Sequence, residues 1–199
     1  MGDLTIARAM SILDTELAGT YIALLKTITD ANAGTVTEYT TGDYVGYARP
    51  QPTWAAATNQ TTYASKKPSV DTLGTVPTAD VTGDCVGIGI YSAVTGGTLK
   101  LVKAFPSIDV ASCTTTNGNA VVTTAGSFTT SGVIAGMKVT GTGIPANTYV
   151  LTKDSATQIT LSNNATAGGT VTLTFPGPIR ILAYKMPKFS ATTLEITLS

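Results

Sequence analysis

Helical periodicity occurs once in this chain, near its start, and the remainder is broken too often by turn-forming residues to continue as helix. In DLTIARAMSILDTEL, Ile6, Met10, Leu13 and Leu17 recur at spacings of four, three and four and so form one apolar stripe. Asp3 is the expected cap, Ala7 and Ala9 favour the helix, and Gly19 ends it. The fold class that follows is mainly β: a β-sandwich-like core domain with one N-terminal helix and an inserted small β domain.

Strand signals begin with TYIALLKTI and continue, after the loop DANAG, in TVTEYTT. Pro50 and Pro52 lack the N–H that a central strand needs, so Arg49 to Thr53 is expected to be an edge or an extended crossing segment. Residues 55–80 read as polar and irregular. CVGIGIYSA and TLKLVKAF are two clear strands, with Gly96 and Gly97 supplying the turn between them. Gly87 and Gly89 leave one face of the first strand nearly bare, which implies close approach by a neighbour.

Beyond Val110 the pattern changes to very short apolar runs separated by Gly, Asn-Gly, Gly-Ile-Pro and Asn-Asn turns, as in small barrels and sandwiches. After Pro176 the longer strand-forming runs of the first hundred residues return, with strands expected at Arg180 to Lys185 and Leu194 to Leu198. The organisation expected is therefore a core domain from residues 1–110 and 176–199, interrupted by a lobe at 111–175. Loop-closure entropy grows slowly enough to tolerate such an insertion.

The 199 residues are 43% hydrophobic, enough for a core without metals or bridges, but only 12% charged, about half the usual share. Twelve basic and twelve acidic residues cancel, so no net field favours nucleic acid or anionic membrane. A surface poor in charge is a solubility hazard for a free monomer, and much of it is expected to lie against partners. The run Tyr21 to Leu25 is too short to cross a bilayer, and no export signal or membrane anchor is expected. Cys85 and Cys113 fix no disulfide framework; two buried thiols are favoured over a bridge.

Chemistry has little to work with. Histidine is absent, which removes the commonest general base and the usual partner of a Ser or Cys nucleophile. Asp80 with Asp84, and Glu38 with Asp43, are the near acidic pairs, and turn and loop solvation explains both better than catalysis. The cysteines make no zinc pattern, and DANAGTVTE and DVTGDC lack calcium-loop spacing. GVIAGMKVTGTG lies outside any strand-turn-helix context for phosphate. No enzyme activity, cofactor or metal is expected. Trp54, Tyr39, Tyr44, Tyr47, Tyr63 and Tyr91 are read as core or subunit-contact residues before a glycan platform. Without histidine, contacts should be indifferent to pH between about 5.5 and 8.

Two stretches resemble known proteins. TYIALLKTI, GDYVGYARPQPTW, VGIGIYSAVTGGTLKLVKAF and PKFSATTLEITLS, in that order, resemble a family of small tailed-bacteriophage virion proteins commonly described as tail fibre proteins. Its GYAR motif falls on Gly46, Tyr47, Ala48 and Arg49, its GG turn on Gly96 and Gly97, and its closing strand on Phe189, Leu194, Ile196 and Leu198. Ser92 stands where that family has aspartate, and Thr192 or Thr193 where it tends to have glycine. The second stretch, from Phe128 to Phe175, is similar to a β module of phage particle proteins. Its G-M-x-V-x-G-x-G-I-P core lies at Gly136, Met137, Val139, Gly141, Gly143, Ile144 and Pro145, with Met137 and Val139 expected inward, Ile144 and Pro145 closing the end, and SATQITL as the next turn and strand.

These resemblances imply a structural role in a virion, assembled in the host cytoplasm. The leading expectation is a capsid decoration (cement) protein bound to the major capsid protein and to copies of itself, with a trimer as one arrangement. A tail, baseplate or fibre-associated protein contacting host or adaptor is the alternative, followed by a head-to-tail connector and, outside virions, a carbohydrate-binding module. The residues expected to make partner contact are Tyr47, Arg49, Pro50, Pro52 and Trp54.

Overall fold

The computed structural model describes residues 5–60, 63–70, 72–75, 77–78, 81, 83–181, 188–189 and 196–198. It is mainly β, with one N-terminal helix and several sheets. The chain divides into two compact units: unit 1 is Met1–Ala79, Ile88–Lys103 and Ala183–Ser199, and unit 2 is Asp80–Gly87 and Ala104–Leu182.

In unit 1 the helix α1 spans Ile6–Leu17. Asp3 lies outside the described residues; the observed cap is Thr5, whose hydroxyl accepts the Arg8 N–H. Ala9, Leu13 and Leu17 are buried, with Ile6 and Met10 half-buried beside them, so the expected stripe faces the interior. Gly19 then takes φ +65 and the helix stops.

The main sheet is four-stranded, in the order β2-β1-β3-β4, where β1 is Tyr21–Asp30, β2 is Thr35–Glu38, β3 is Gly87–Tyr91 and β4 is Leu99–Ala104. Ile22, Ala23, Leu24 and Leu25 of β1 and Ile88 and Ile90 of β3 are buried. The bare position at Gly89 is taken by side chains of its own sheet: an added Cβ would meet Tyr91 at 2.9 Å and Leu99 at 3.0 Å. The Gly96-Gly97 turn forms as expected. Gly97 has φ +71, and a Cβ there would press on the Ala93 backbone N at 2.9 Å.

Residues 55–80, expected to be irregular, instead carry the short ladder segments Thr58–Asn59, Ala64–Lys66 and Thr72–Leu73. Ala64–Lys66 sits between Thr58–Asn59 and Ile196–Leu198, and Thr72–Leu73 pairs with Lys188–Phe189. Two- and three-residue strands hold too few residues for a period-2 pattern to show in the sequence. Leu194 and the residues after Ile181 in the expected strand Arg180 to Lys185 lie outside the described residues.

Unit 2 is a six-stranded sheet that nearly closes into a barrel. Its order is β7-β8-β9-β6-β5-β10, where β5 is Ile108–Thr115, β6 Val121–Thr124, β7 Lys138–Val139, β8 Thr148–Lys153, β9 Gln158–Leu161 and β10 Gly169–Phe175. The two ends of that order meet at Thr140 and Thr174, which exchange backbone hydrogen bonds of 2.9 Å each way. β5 runs continuously through the compositional change at Val110, with a bulge at Ala111–Ser112, where Ser112 has φ +55. Inside lie Val110, Val122, Phe128, Met137, Val139, Ile159, Leu173 and Phe175, with Ile144 packed against them. Met137 and Val139 therefore point inward, as expected. Both cysteines are buried thiols with no disulfide between them, and the Cys85 thiol donates to the Gly87 carbonyl at 3.3 Å.

Candidate contact surface

Unit 1 concentrates its polar side chains at the end of β2 and in the turn that follows. Asp43 organises this turn by accepting the Thr40 N–H at 2.6 Å and both hydrogen bonds of the Lys26 ammonium, at 2.9 and 3.0 Å. Burial works against its charge, but Lys26 and Thr40 outweigh this and hold the carboxyl below its usual range. Tyr39, Tyr44 and Tyr47 pack as a ring cluster, with centroids 5.3 to 6.5 Å apart. The turn thus directs its tyrosines inward and leaves Val45 outward, 81% exposed and the most exposed large apolar side chain among the described residues.

Arg49 ties this turn to the loop between β3 and β4. Its Nε and Nη2 donate to the two carboxylate oxygens of Glu38 at 2.8 and 2.5 Å, its Nη1 donates to the Ala93 and Gly96 carbonyls at 2.8 and 2.7 Å, and its guanidinium lies 3.6 Å from the Tyr91 ring centroid. Four of its five N–H groups are used this way, and the residue is only 9% exposed. The Glu38 hydrogen bonds raise the Arg49 pKa against the cost of burial. Tyr47 completes the network: its hydroxyl donates to Glu38 at 2.8 Å and accepts the Leu24 N–H at 3.0 Å. Burial pushes that phenol far above its usual range; Glu38 adds to the shift and the Leu24 N–H opposes it.

The loop held by Arg49, from Ser92 to Thr98, is closed by Ser92 N–H on the Thr98 carbonyl at 3.0 Å and Thr98 N–H on the Ser92 hydroxyl at 2.8 Å. Val94 at its tip is 47% exposed. Between this loop and the Val45 turn lies a cleft of about 270 Å³, walled by Thr41, Ala48, Val94, Thr95 and Gly96, with Arg49 among its lining residues.

The five residues expected to touch partners fall as follows. Tyr47 and Arg49 have their polar groups spent on the internal network. The Pro50 carbonyl accepts the Ile22 N–H at 2.9 Å, Pro52 is buried, and Trp54 is half-buried with its indole N–H on the Thr20 hydroxyl at 3.0 Å. Arg49 to Thr53 thus crosses the unit without joining a ladder. Pro52 and Trp54 line a second cleft of about 380 Å³ with Gln51, Gly19, Asp14 and Lys66. The buried Lys66 ammonium pairs there with Asp14, whose Oδ1 also accepts the Ala57 N–H.

Val45 and Val94 were missed by pattern reasoning. Each is an apolar residue set among Gly, Thr and Ser in a turn, where no strand partner accounts for it. Glu38 and Asp43, expected as solvated loop acids, are internally paired, and Asp84 accepts the Tyr149 hydroxyl at 3.3 Å; Asp80 lies outside the described residues. Among the described residues no cluster of His, Cys, Asp and Glu could hold a metal, and no helix is long and apolar enough to cross a membrane. Comparison of the chain with protein-family models, with characterised proteins and with solved structures gives no match in any of the three.

Proposed function

We propose that the protein is a non-catalytic bacteriophage virion structural protein, and within that class a capsid decoration protein that stabilises the shell by contacts with the major capsid protein and with its own copies. The observation that carries this reading is how the polar groups around Arg49 are used. A guanidinium, a carboxylate and a phenol, which a catalytic cleft would aim at a substrate, are consumed in holding two turns, and what those turns offer outward is valine, threonine and glycine. Such a surface suits the uncharged centre of a protein interface. The sequence resemblances supply the virion context, and the edge strands β2 and β4 offer backbone groups that a neighbouring subunit can cover. In this reading unit 1 is a sandwich-like body that binds the shell and unit 2 is an inserted module.

A tail or baseplate role is the second reading, favoured by the Trp54 cleft. An indole wall beside the half-exposed Asp14 carboxylate is chemistry that suits a host glycan. Electron microscopy of purified particles carrying a compact label at Ser199 separates the two. Label in a regular lattice over the head supports decoration; label confined to the tail or neck removes it.

A further inference from the structure

The cleft of about 380 Å³ beside Trp54 differs from the one beside Arg49 in how its polar groups are spent. Arg49 uses four of its five N–H groups inside the chain, whereas Lys66, only 5% exposed, carries three N–H donors and gives one of them to Asp14 Oδ1. Asp14 Oδ1 also accepts the Ala57 N–H, while Oδ2 takes no hydrogen bond among the described residues and the side chain is 46% exposed. The exposed Gln51 lines the same cleft, and a Cβ added at Gly19 would meet nothing within 4 Å, so the space beside Gly19 is open. The Trp54 indole N–H is committed to Thr20, which leaves hydrocarbon as what that ring has to offer. The geometry points to this cleft as a binding site for a neutral sugar, with the Lys66 and Asp14 pair taking two adjacent ring hydroxyls and Trp54 the apolar face of the ring.

The donor set selects this ligand class. Lys66 and Asp14 fix a donor beside an acceptor with no net charge between them. An anion would meet the Asp14 carboxylate and a cation the Lys66 ammonium, so neither is favoured. A hydroxyl donates and accepts at one atom, and two hydroxyls on neighbouring carbons fit the ammonium and the carboxylate together, whereas a peptide separates donor and acceptor between N–H and C=O. The indole supplies the other half of the selection, because a sugar ring carries C–H groups on its face and hydroxyls at its rim. The volume lies within the range of about 300–1,000 Å³ usual for small-molecule sites. Lys66 and then the Ala57 N–H hold the Asp14 carboxyl below its usual range, so it is an acceptor at neutral pH. The burial of Lys66 and the Ala57 bond also fix both charged groups before a ligand arrives, which lowers the cost of ordering them.

This inference rests on the second reading of the protein's function and deepens it by naming the ligand class. Trp54 is the sole tryptophan, so its fluorescence in the full chain reports the cleft directly. The titrants are the methyl glycosides of glucose, galactose, mannose and N-acetylglucosamine, with methyl glucuronide as the acidic counterpart and a capped Gly-Thr-Gly-Thr peptide as the occupant that is not a sugar. A neutral glycoside is expected to saturate the signal, the glucuronide to bind about tenfold more weakly, and the peptide to give no response. Asp14→Asn keeps the shape and removes the charge, so it should weaken the neutral glycoside about tenfold and close the gap to the glucuronide. Thermal unfolding reports whether that variant folds; where it does not, Gln51→Ala, at an exposed side chain, takes the same reading with a loss of about threefold. No saturable response to any neutral glycoside, equal affinity for the glucuronide or the peptide, or unchanged affinity in a folded variant overturns the inference. A Ser199 label at the tail together with no sugar bound would leave the second reading standing without this ligand, so the two fail separately.

Discussion

The two units solve the problem of a small core in opposite ways. Unit 2 closes its sheet on itself through Thr140 and Thr174 and fills the inside with apolar side chains such as Val122, Phe128, Ile159 and Phe175, all fully buried. Each such side chain contributes about 1.5–3 kcal/mol. Unit 1 leaves its four-stranded sheet open at β2 and β4 and, beside its apolar core, spends a charged pair, Glu38 with Arg49, on holding two turns. Closure gives stability with little surface to offer. The polar network orients two turns outward, and a buried pair of this kind adds little net stability over an apolar replacement.

The sharpest way to break this contrast is to damage one unit and watch the other. Phe175→Ala removes a ring packed edge-on against Phe128 at 6.3 Å and should cost unit 2 about 3–5 kcal/mol. Trp54, the sole tryptophan, lies in unit 1. Its fluorescence should keep its own transition while circular dichroism reports one at lower temperature; coincident shifts in both signals would mean that the units unfold as one.

Arg49→Ala should cost about 3 kcal/mol in the Trp54-monitored transition, because the half-buried Glu38 is left without its cation. Replacing both partners together, Glu38→Leu with Arg49→Met, should recover much of that loss by removing the orphaned charge. If the double variant is no better than the single one in denaturant unfolding, the network is a stability element and the contrast fails.

The smallest effects concern pH. Stability should be flat between about pH 5.5 and 8, since no histidine titrates there. On the acid side, the lowered Asp43 carboxyl contributes stability that is present above about pH 3.9 and lost as pH falls through its folded value. On the alkaline side, the raised Tyr47 phenol contributes stability that is full below about pH 10 and declines above it, where the unfolded chain gives up a proton that the folded chain keeps. Tyr47→Phe should flatten the alkaline limb of a pH series of unfolding midpoints; an unchanged limb would place the alkaline sensitivity elsewhere.

Sequence patterns served where many residues repeat one instruction. The stripe through Leu13 and Leu17, the buried run of β1, the Gly96-Gly97 turn and the inward Met137 and Val139 were all legible because period, turn chemistry and burial agree there. The ladders at Ala64–Lys66 and Thr72–Leu73 were not, since two or three residues carry no period. β5 crosses a compositional boundary that its hydrogen bonds ignore. At the candidate surface, the GYAR segment supplies Tyr47 and Arg49, but an arginine in a sequence does not say whether its acceptors are inside or outside. Glu38, eleven positions before it, and the carbonyls of Ala93 and Gly96, more than forty after it, settle that only once folded.

The claim that the outward valines of unit 1 serve assembly is tested most directly by rebinding. Bacteriophage particles lacking this protein would be incubated with the purified wild type or with the Val45→Lys/Val94→Lys variant, pelleted, and the bound chain quantified. The proposed role in assembly requires saturable binding of the wild type and a large loss for the folded variant. Equal binding of both would contradict it, and so would a wild type that leaves every particle bare.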